Sequence, residues 1–227
     1  MKVQVLIPAA GMGRRLGADK PKALVSLAGR PLIQITLDRM GALAGEARAI
    51  VVYPEGFKRE FMDAILPVQS EVSLVPGGSE RQDSVYEGLK ALDDDTEIVV
   101  IHDAARPFVP LKAVCRAVEE TERYGAATLA IPVADTMLLG DEEGFLDSTP
   151  DRSRVWACQT PQVFRTEIIR KAYALDGATR KSVTDDATLA RLAGFPVKLV
   201  MGDAMNLKIT TPDDVAYVEY LSRHGML

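Results

Sequence analysis

The chemistry in this chain is first suggested by backbone stripped of side chains next to clustered cations. The segment PAAGMGRRLG at residues 8–17, with KPK at 20–22 behind it, follows an apolar run at residues 3–7. Small residues between Ala9 and Gly13 let backbone N–H groups approach a ligand closely. Arg14, Arg15, Lys20 and Lys22 place four cations within nine residues of a chain whose net charge is −5. Backbone donors at a strand end, beside concentrated positive charge, suit a polyphosphate. A tight turn with solvated charges uses the same residue types, and the cation density against an acidic background favours the anion site.

Three further segments have similar chemistry. PGGSERQDS at 76–84 is a second glycine turn that opens a helix; its backbone and hydroxyls can hydrogen-bond a base edge, and Arg81 can meet phosphate. HDAARP at 102–107 places Asp103 at the end of an apolar strand, where a carboxylate is costly unless it binds a cation or pairs with arginine. Magnesium suits it, because that ion takes one or two carboxylates plus phosphate oxygens. NLKITTPDD at 206–214 holds Lys208 in an extended segment and then starts a helix, with Pro212 at the first position and Thr211 as its cap. Ser79 or Glu80 is the matching cap of the earlier helix. His102 has no histidine or cysteine partner nearby, which argues against zinc and makes a structural role the commoner one.

Motifs for other chemistries are missing. The first loop is not GxGxxG, and there is no GxxxxGK loop ending in Ser or Thr and no GxSxG elbow. No Ser–His or Cys–His pair offers a covalent nucleophile. Cations, backbone donors and one metal carboxylate remain, an inventory that fits phosphoryl or nucleotidyl transfer, where positioning and charge stabilisation do most of the work.

Positioning these groups requires a particular frame. Apolar runs rich in Val and Ile at 3–7, 49–53, 72–75, 98–101, 126–132 and 197–201 read as buried strands. Helical patterns at 32–43, 57–66, 80–92, 111–124, 166–174 and 185–192 alternate with them, which predicts an α/β fold with a mostly parallel sheet and helices on both faces. In such a sheet ligands bind at the carboxyl ends of the strands, where the four segments fall. Residues 135–147 break the alternation and read as a hairpin around a GDEEG turn. Its Met137, Leu138, Leu139, Phe145 and Leu146 need a surface, and a partner subunit or the parent domain serves equally.

The 227 residues fit one domain, with residues 133–155 as an arm. A pI near 5.2 argues against general nucleic-acid binding. No apolar stretch reaches the ~20 residues of a membrane span, and the N-terminus lacks a signal-peptide core. Cys115 and Cys158 are far apart and read as buried or indifferent thiols in a reducing compartment. These features predict a cytoplasmic protein.

With these residues in view, the chain resembles the 2-C-methyl-D-erythritol 4-phosphate cytidylyltransferases. The resemblance rests on PAAGMGRR (8–15) with KPK (20–22), GGSERQDS (77–84), VIHDAARP (100–107), PVADT (132–136), DR (151–152), QTPQ (159–162), TDD (184–186) and NLKIT (206–210), in order along essentially the whole chain. It implies a Rossmann-like nucleotidyltransferase fold and a magnesium-dependent reaction of CTP with methylerythritol phosphate. Pro8, Ala9, Ala10 and Gly11 would line the nucleotide, Gly78, Ser79 and Ser84 would recognise cytosine, and Asp103 and Ala104 would lie near ribose and metal. Arg15, Lys22 and Lys208 would carry catalysis, with Arg106, Thr160 and Lys208 facing the acceptor. The arm would cross to a second subunit in a homodimer, with Thr136 and Arg152 reaching the partner's acceptor site. Ser79 and Met205 stand where family members can carry acidic residues, so base recognition by Ser79 reduces to its backbone, and a second metal carboxylate has only Asp203 as a candidate. The alternatives are a cytidylyltransferase for another polyol phosphate such as ribitol 5-phosphate, a sugar-1-phosphate nucleotidylyltransferase or glycosyltransferase of similar fold, and a non-catalytic nucleotide-binding regulator. The regulator could dispense with Lys22 or Lys208, and both are present.

Overall fold

The computed structural model describes residues 1–13, 16, 19–44, 48–68 and 71–225. Seven strands form the main sheet: β1 (Val3–Pro8), β2 (Ala49–Tyr53), β3 (Val72–Pro76), β4 (Ile98–Ile101), β5 (Ala126–Pro132), β6 (Trp156–Arg165) and β7 (Lys198–Met201). Their spatial order is β7-β5-β6-β4-β1-β2-β3. β1 pairs in parallel with β2 and β4, β2 with β3, and β5 with β7. Only β6 runs antiparallel, against both β4 and β5. After β1 the chain adds strands on one side and then returns to add β4 on the other. That reversal of strand order leaves a crevice at the carboxyl ends of β1 and β4.

The alternation of side chains along each strand builds two apolar layers. Val5, Ile7, Val51 and Val100 face one side and pack with Ile33, Leu37 and Met40 of α1 (Leu32–Ala44), Phe61 of α2 (Lys58–Ile65) and Ala113, Val114 and Ala117 of α4 (Leu111–Tyr124). Leu6, Ile50, Val52, Val99 and Phe164 face the other and pack with Val85 and Leu89 of α3 (Arg81–Lys90), Ile169 and Ala172 of α5 (Thr166–Tyr173), and Leu189 of α7 (Asp186–Leu192). Gly88 lets α3 lie close on the sheet, since a Cβ there would collide with Leu6. A short α6 (Gly177–Lys181) intervenes, and α8 (Pro212–Arg223) follows β7. Thr211 caps α8 by accepting from the Asp214 N–H. Among the described residues, no helix is long and apolar enough to cross a membrane.

The sheet follows the expected strands closely and adds one. β6 was not foreseen as a strand: its Gln159, Thr160 and Gln162 are polar yet buried, and Pro161 interrupts its pattern. The expected hairpin is present as two short antiparallel strands, Leu139–Gly140 and Leu146–Ser148. Asp141 closes its turn, its Oδ1 accepting from the N–H groups of Glu143 and Phe145 at 3.0 and 2.8 Å. Met137, Leu138, Leu139, Phe145 and Leu146 are all exposed. Cys115 and Cys158 are free and exposed, so of the expected buried or indifferent thiols the buried alternative does not hold.

Candidate active site

Three strand ends and one return segment meet around a cavity of about 310 Å³. Pro8, Ala9, Ala10 and Gly11 line it from the end of β1, and Gly78, Ser79, Arg81 and Ser84 from the β3–α3 turn. Asp103, Ala104 and Ala105 line it from the end of β4, with Lys22 and Lys208 completing the wall. Backbone pairing runs past the strands and holds the loops in place: Ala9 N–H donates to Val52 O, Gly77 N–H to Tyr53 O and His102 N–H to Leu6 O, at 2.8–2.9 Å. The first loop closes on itself through Lys22 N–H to Gly11 O at 3.0 Å, which brings Lys22 to the cavity. Gly77 must be glycine for steric reasons, since an added Cβ would lie 2.7 Å from Ser84 Oγ and 2.9 Å from the Ala10 methyl.

Asp103 is the electrostatic centre. Lys208 Nζ lies 2.7 Å from its Oδ2, and Arg81 Nε lies 3.4 Å from its Oδ1. Burial by itself would raise its proton affinity, but Arg81 and Lys208 outweigh that and hold the carboxyl well below the usual range. Arg81 is shared: its Nη2 donates to Asp186 at 2.9 Å, and Asp186 also accepts from the Tyr173 hydroxyl at 2.5 Å. Burial would lower the Arg81 value, yet Asp186 and Asp103 together raise it above the ordinary one.

Behind Asp103 stands a neutral support. Burial pushes His102 down to about 4, so its ring is uncharged near neutral pH. Its Nε2 meets the Arg106 carbonyl at 2.9 Å, and a carbonyl only accepts, so the proton sits on Nε2. Nδ1 then accepts from the Thr160 hydroxyl at 3.1 Å, while Thr160 Oγ1 accepts from the Asp103 N–H at 3.0 Å. Arg106 donates to the carbonyls of Asn206 at 2.6 Å and Cys158 at 3.3 Å, and Asn206 donates to Thr160 O at 2.8 Å. Ile209 N–H donates to Ala105 O at 2.9 Å, fixing the segment that carries Lys208.

Of the sequence-derived candidates, Pro8, Ala9, Ala10, Gly11, Lys22, Gly78, Ser79, Ser84, Asp103, Ala104 and Lys208 are brought together here. Thr160 and Arg106 stand behind the wall in the support just described, while Thr136 and Arg152 are exposed on the arm. Arg15 lies outside the described residues. Asp203 does not line the cavity; its Oδ1 accepts from Met205 N–H within its own turn. Glu80 is the residue that caps α3, and the Ser79 hydroxyl bonds Asp83 at 2.9 Å. Arg81, expected from the sequence to meet phosphate, is held in ion pairs with Asp103 and Asp186. Asp186 was visible only as part of the TDD motif, because the pairing spans 105 residues and leaves no local signal.

The chain's relatives agree with one another. A sequence profile of the family described as 2-C-methyl-D-erythritol 4-phosphate cytidylyltransferase matches residues 3–224. The protein of that name from Desulforamulus reducens is 41% identical, over 98% of this chain and 97% of its own length. That from Microcystis aeruginosa is 42% identical, over 96% and 97%. Among solved structures, 4-diphosphocytidyl-2C-methyl-D-erythritol synthase from Anaerococcus prevotii superposes with a TM-score of 0.87 at 29% identity, covering 98% of this chain and 96% of its own. The cytidylyltransferase of Thermus thermophilus gives 0.78 at 37%, covering 98% and 100%. With a cavity at the strand-order reversal, an ionised carboxylate flanked by cations and relatives matched from end to end, the chain belongs to the 2-C-methyl-D-erythritol 4-phosphate cytidylyltransferase family.

Proposed function

We propose that this chain joins CTP and 2-C-methyl-D-erythritol 4-phosphate, giving 4-diphosphocytidyl-2-C-methyl-D-erythritol and pyrophosphate for non-mevalonate isoprenoid synthesis in the cytoplasm. A phosphate oxygen of the acceptor attacks the α-phosphorus of CTP, and the bond to pyrophosphate breaks. The acceptor phosphate is anionic near neutral pH, so the step needs no general base, in keeping with a neutral His102 that is fully used by its support. The difficulty is charge. Two polyanions brought together in a partly dry cavity repel strongly unless cations lie between them. Arg15, Lys22 and Lys208 are assigned that role, and it is greatest where charge builds up in the transition state. Pro8, Ala9, Ala10 and Gly11 hold the nucleotide, the small turn at Gly78, Ser79 and Ser84 reads cytosine, and Asp103 and Ala104 lie by the ribose. Arg106 and Thr160 act on the acceptor through the segment they hold.

Magnesium fits this site through Asp103. An ion of this kind takes one carboxylate together with substrate phosphate oxygens, and Asp103 offers that carboxylate. Lys208 engages Oδ2 closely, whereas the 3.4 Å contact of Arg81 leaves Oδ1 the more available oxygen. Bound there, the ion would neutralise charge on the triphosphate.

The chain is assigned as one nucleotidyltransferase domain with residues 133–155 as its arm. Phe145 and Leu146 are 68% and 64% exposed beside three further exposed apolar side chains, an amount that favours a second copy as their cover. Thr136 and Arg152 would then serve the partner's acceptor site.

The observation that carries the reading is Asp103, held ionised between Lys208 and Arg81 at the floor of a cavity walled by bare backbone. Pyrophosphate release from CTP and magnesium, measured over a panel of polyol phosphates, tests it. Methylerythritol phosphate should be the fastest acceptor. Preference for ribitol 5-phosphate would move the enzyme to the alternative substrate, and no release with any acceptor would leave a binding module.

A further inference from the structure

Asp186 is fully buried at the start of α7, well behind the cavity wall. A charge in that position is costly, and an apolar residue of similar size often serves stability as well or better. Its surroundings are nonetheless built for it. The backbone N–H groups of Asp186 and Ala187 both donate to Gln162 Oε1 at 2.9 Å, and Gln162 Nε2 donates to Asp185 at 3.1 Å. The carboxylate accepts from Tyr173 and from Arg81 Nη2, while the same guanidinium reaches Asp103 only at 3.4 Å. One arginine therefore bridges two buried carboxylates through different nitrogens, and the more deeply buried Asp186 has the shorter contact.

We propose that Asp186 is a positioning residue that draws Arg81 away from Asp103, leaving Asp103 Oδ1 able to take a divalent cation carrying the nucleotide phosphates. The proposal rests on the cytidylyltransferase reading above. Without the Asp186 charge, Asp103 becomes the one anionic partner of Arg81 among these groups, and the guanidinium closes on Oδ1. Without the Tyr173 hydroxyl, Asp186 has one donor fewer and holds Arg81 more tightly. The two substitutions therefore act on the cation site in opposite directions, whereas simple loosening of the fold would move both the same way.

Binding of Mn²⁺, read by electron paramagnetic resonance of the free ion, tests this on the full-length chain with a CTP analogue carrying a methylene between the α- and β-phosphorus atoms. Asp186→Asn should weaken Mn²⁺ binding on the order of tenfold. Tyr173→Phe should tighten it by about two- to threefold, with thermal melts showing both proteins folded. Unchanged binding in both variants, or a shift in the same direction, overturns the proposal. Should Asp186→Asn fail to fold, Tyr173→Phe decides alone: tighter binding supports the inference, and equal or weaker binding overturns it. Pyrophosphate release by the unsubstituted protein is measured alongside. An inactive wild type refutes the reaction, whereas an active wild type with unshifted variants refutes only the role of Asp186.

Discussion

The cavity and the arm carry residues assigned to the same reaction, yet they are built on opposite terms. Around the cavity charged groups are tied to other elements: Asp103 to Lys208 and Arg81, Arg81 to Asp186, Arg106 to the Asn206 carbonyl. On the arm, Arg152 donates to the carbonyl of Ala134 at 3.0 Å within the same arm, and the apolar side chains face solvent. A cavity that must hold repelling anions in one geometry needs its cations fixed before they arrive. An arm proposed to complete a neighbour's site needs only a surface to settle on. The difference teaches that substitutions in the cavity should change rate, and substitutions on the arm should change assembly and acceptor binding.

The strongest test of that division is in the cavity. Lys208→Ala or Lys22→Ala should lower kcat on the order of 10²–10³-fold with CTP affinity little changed; steady-state kinetics with direct CTP titration checks it. Equal losses in rate and CTP binding would break the comparison. Next is the support behind the cavity. His102 titrates at about 4 when folded and near 6.5 when unfolded, so below pH 6.5 the unfolded chain binds the extra proton. Stability therefore falls as pH drops from about 6.5 to about 4, by on the order of 3 kcal/mol from this residue alone. Urea unfolding across that range should show the slope in the native chain and a flatter one in His102→Gln. An identical slope in both would remove His102 from the account.

On the arm, Arg152→Ala should raise KM for the acceptor phosphate by roughly tenfold, about 1.4 kcal/mol, without moving KM for CTP. If the arm covers a second copy as proposed, the unsubstituted chain should sediment as a dimer and Phe145→Asp as a monomer in analytical ultracentrifugation. An unaltered dimer would send the arm back to its own domain as a packing surface. Smallest is Asp141→Ala, which removes the acceptor closing the hairpin turn. It should cost about 1 kcal/mol of local order, seen as faster amide exchange at Glu143 and Phe145, with the global melting temperature unchanged.

Most of the frame was legible because apolar runs and their breaks are local signals. Strands at 49–53, 98–101 and 126–132 end where the sequence places them, and Thr211-Pro212 announces α8. β6 was hidden because its polar residues are buried for what they hold: Thr160 bonds His102, and Gln162 bonds the start of α7. A strand whose side chains serve as struts loses the apolar pattern by which strands are read. The cavity wall was legible for a related reason: bare glycine and alanine next to lysine is itself a pattern. The pairing of Arg81 with Asp186 was not, since it joins residues 105 positions apart and leaves no local pattern.

The antiparallel run of β6 has one more consequence. Because β5 ends and β6 begins at the same end of the sheet, with Trp156 opposite Pro132, the chain leaves and re-enters through a doorway one strand wide. Val133 N–H donates to Val155 O at 3.3 Å across that doorway. The segment between those two residues is joined to the sheet at this one place. A change of length near the hairpin turn is therefore borne by the arm alone, while the strand pairing that aims Asp103 stays in register.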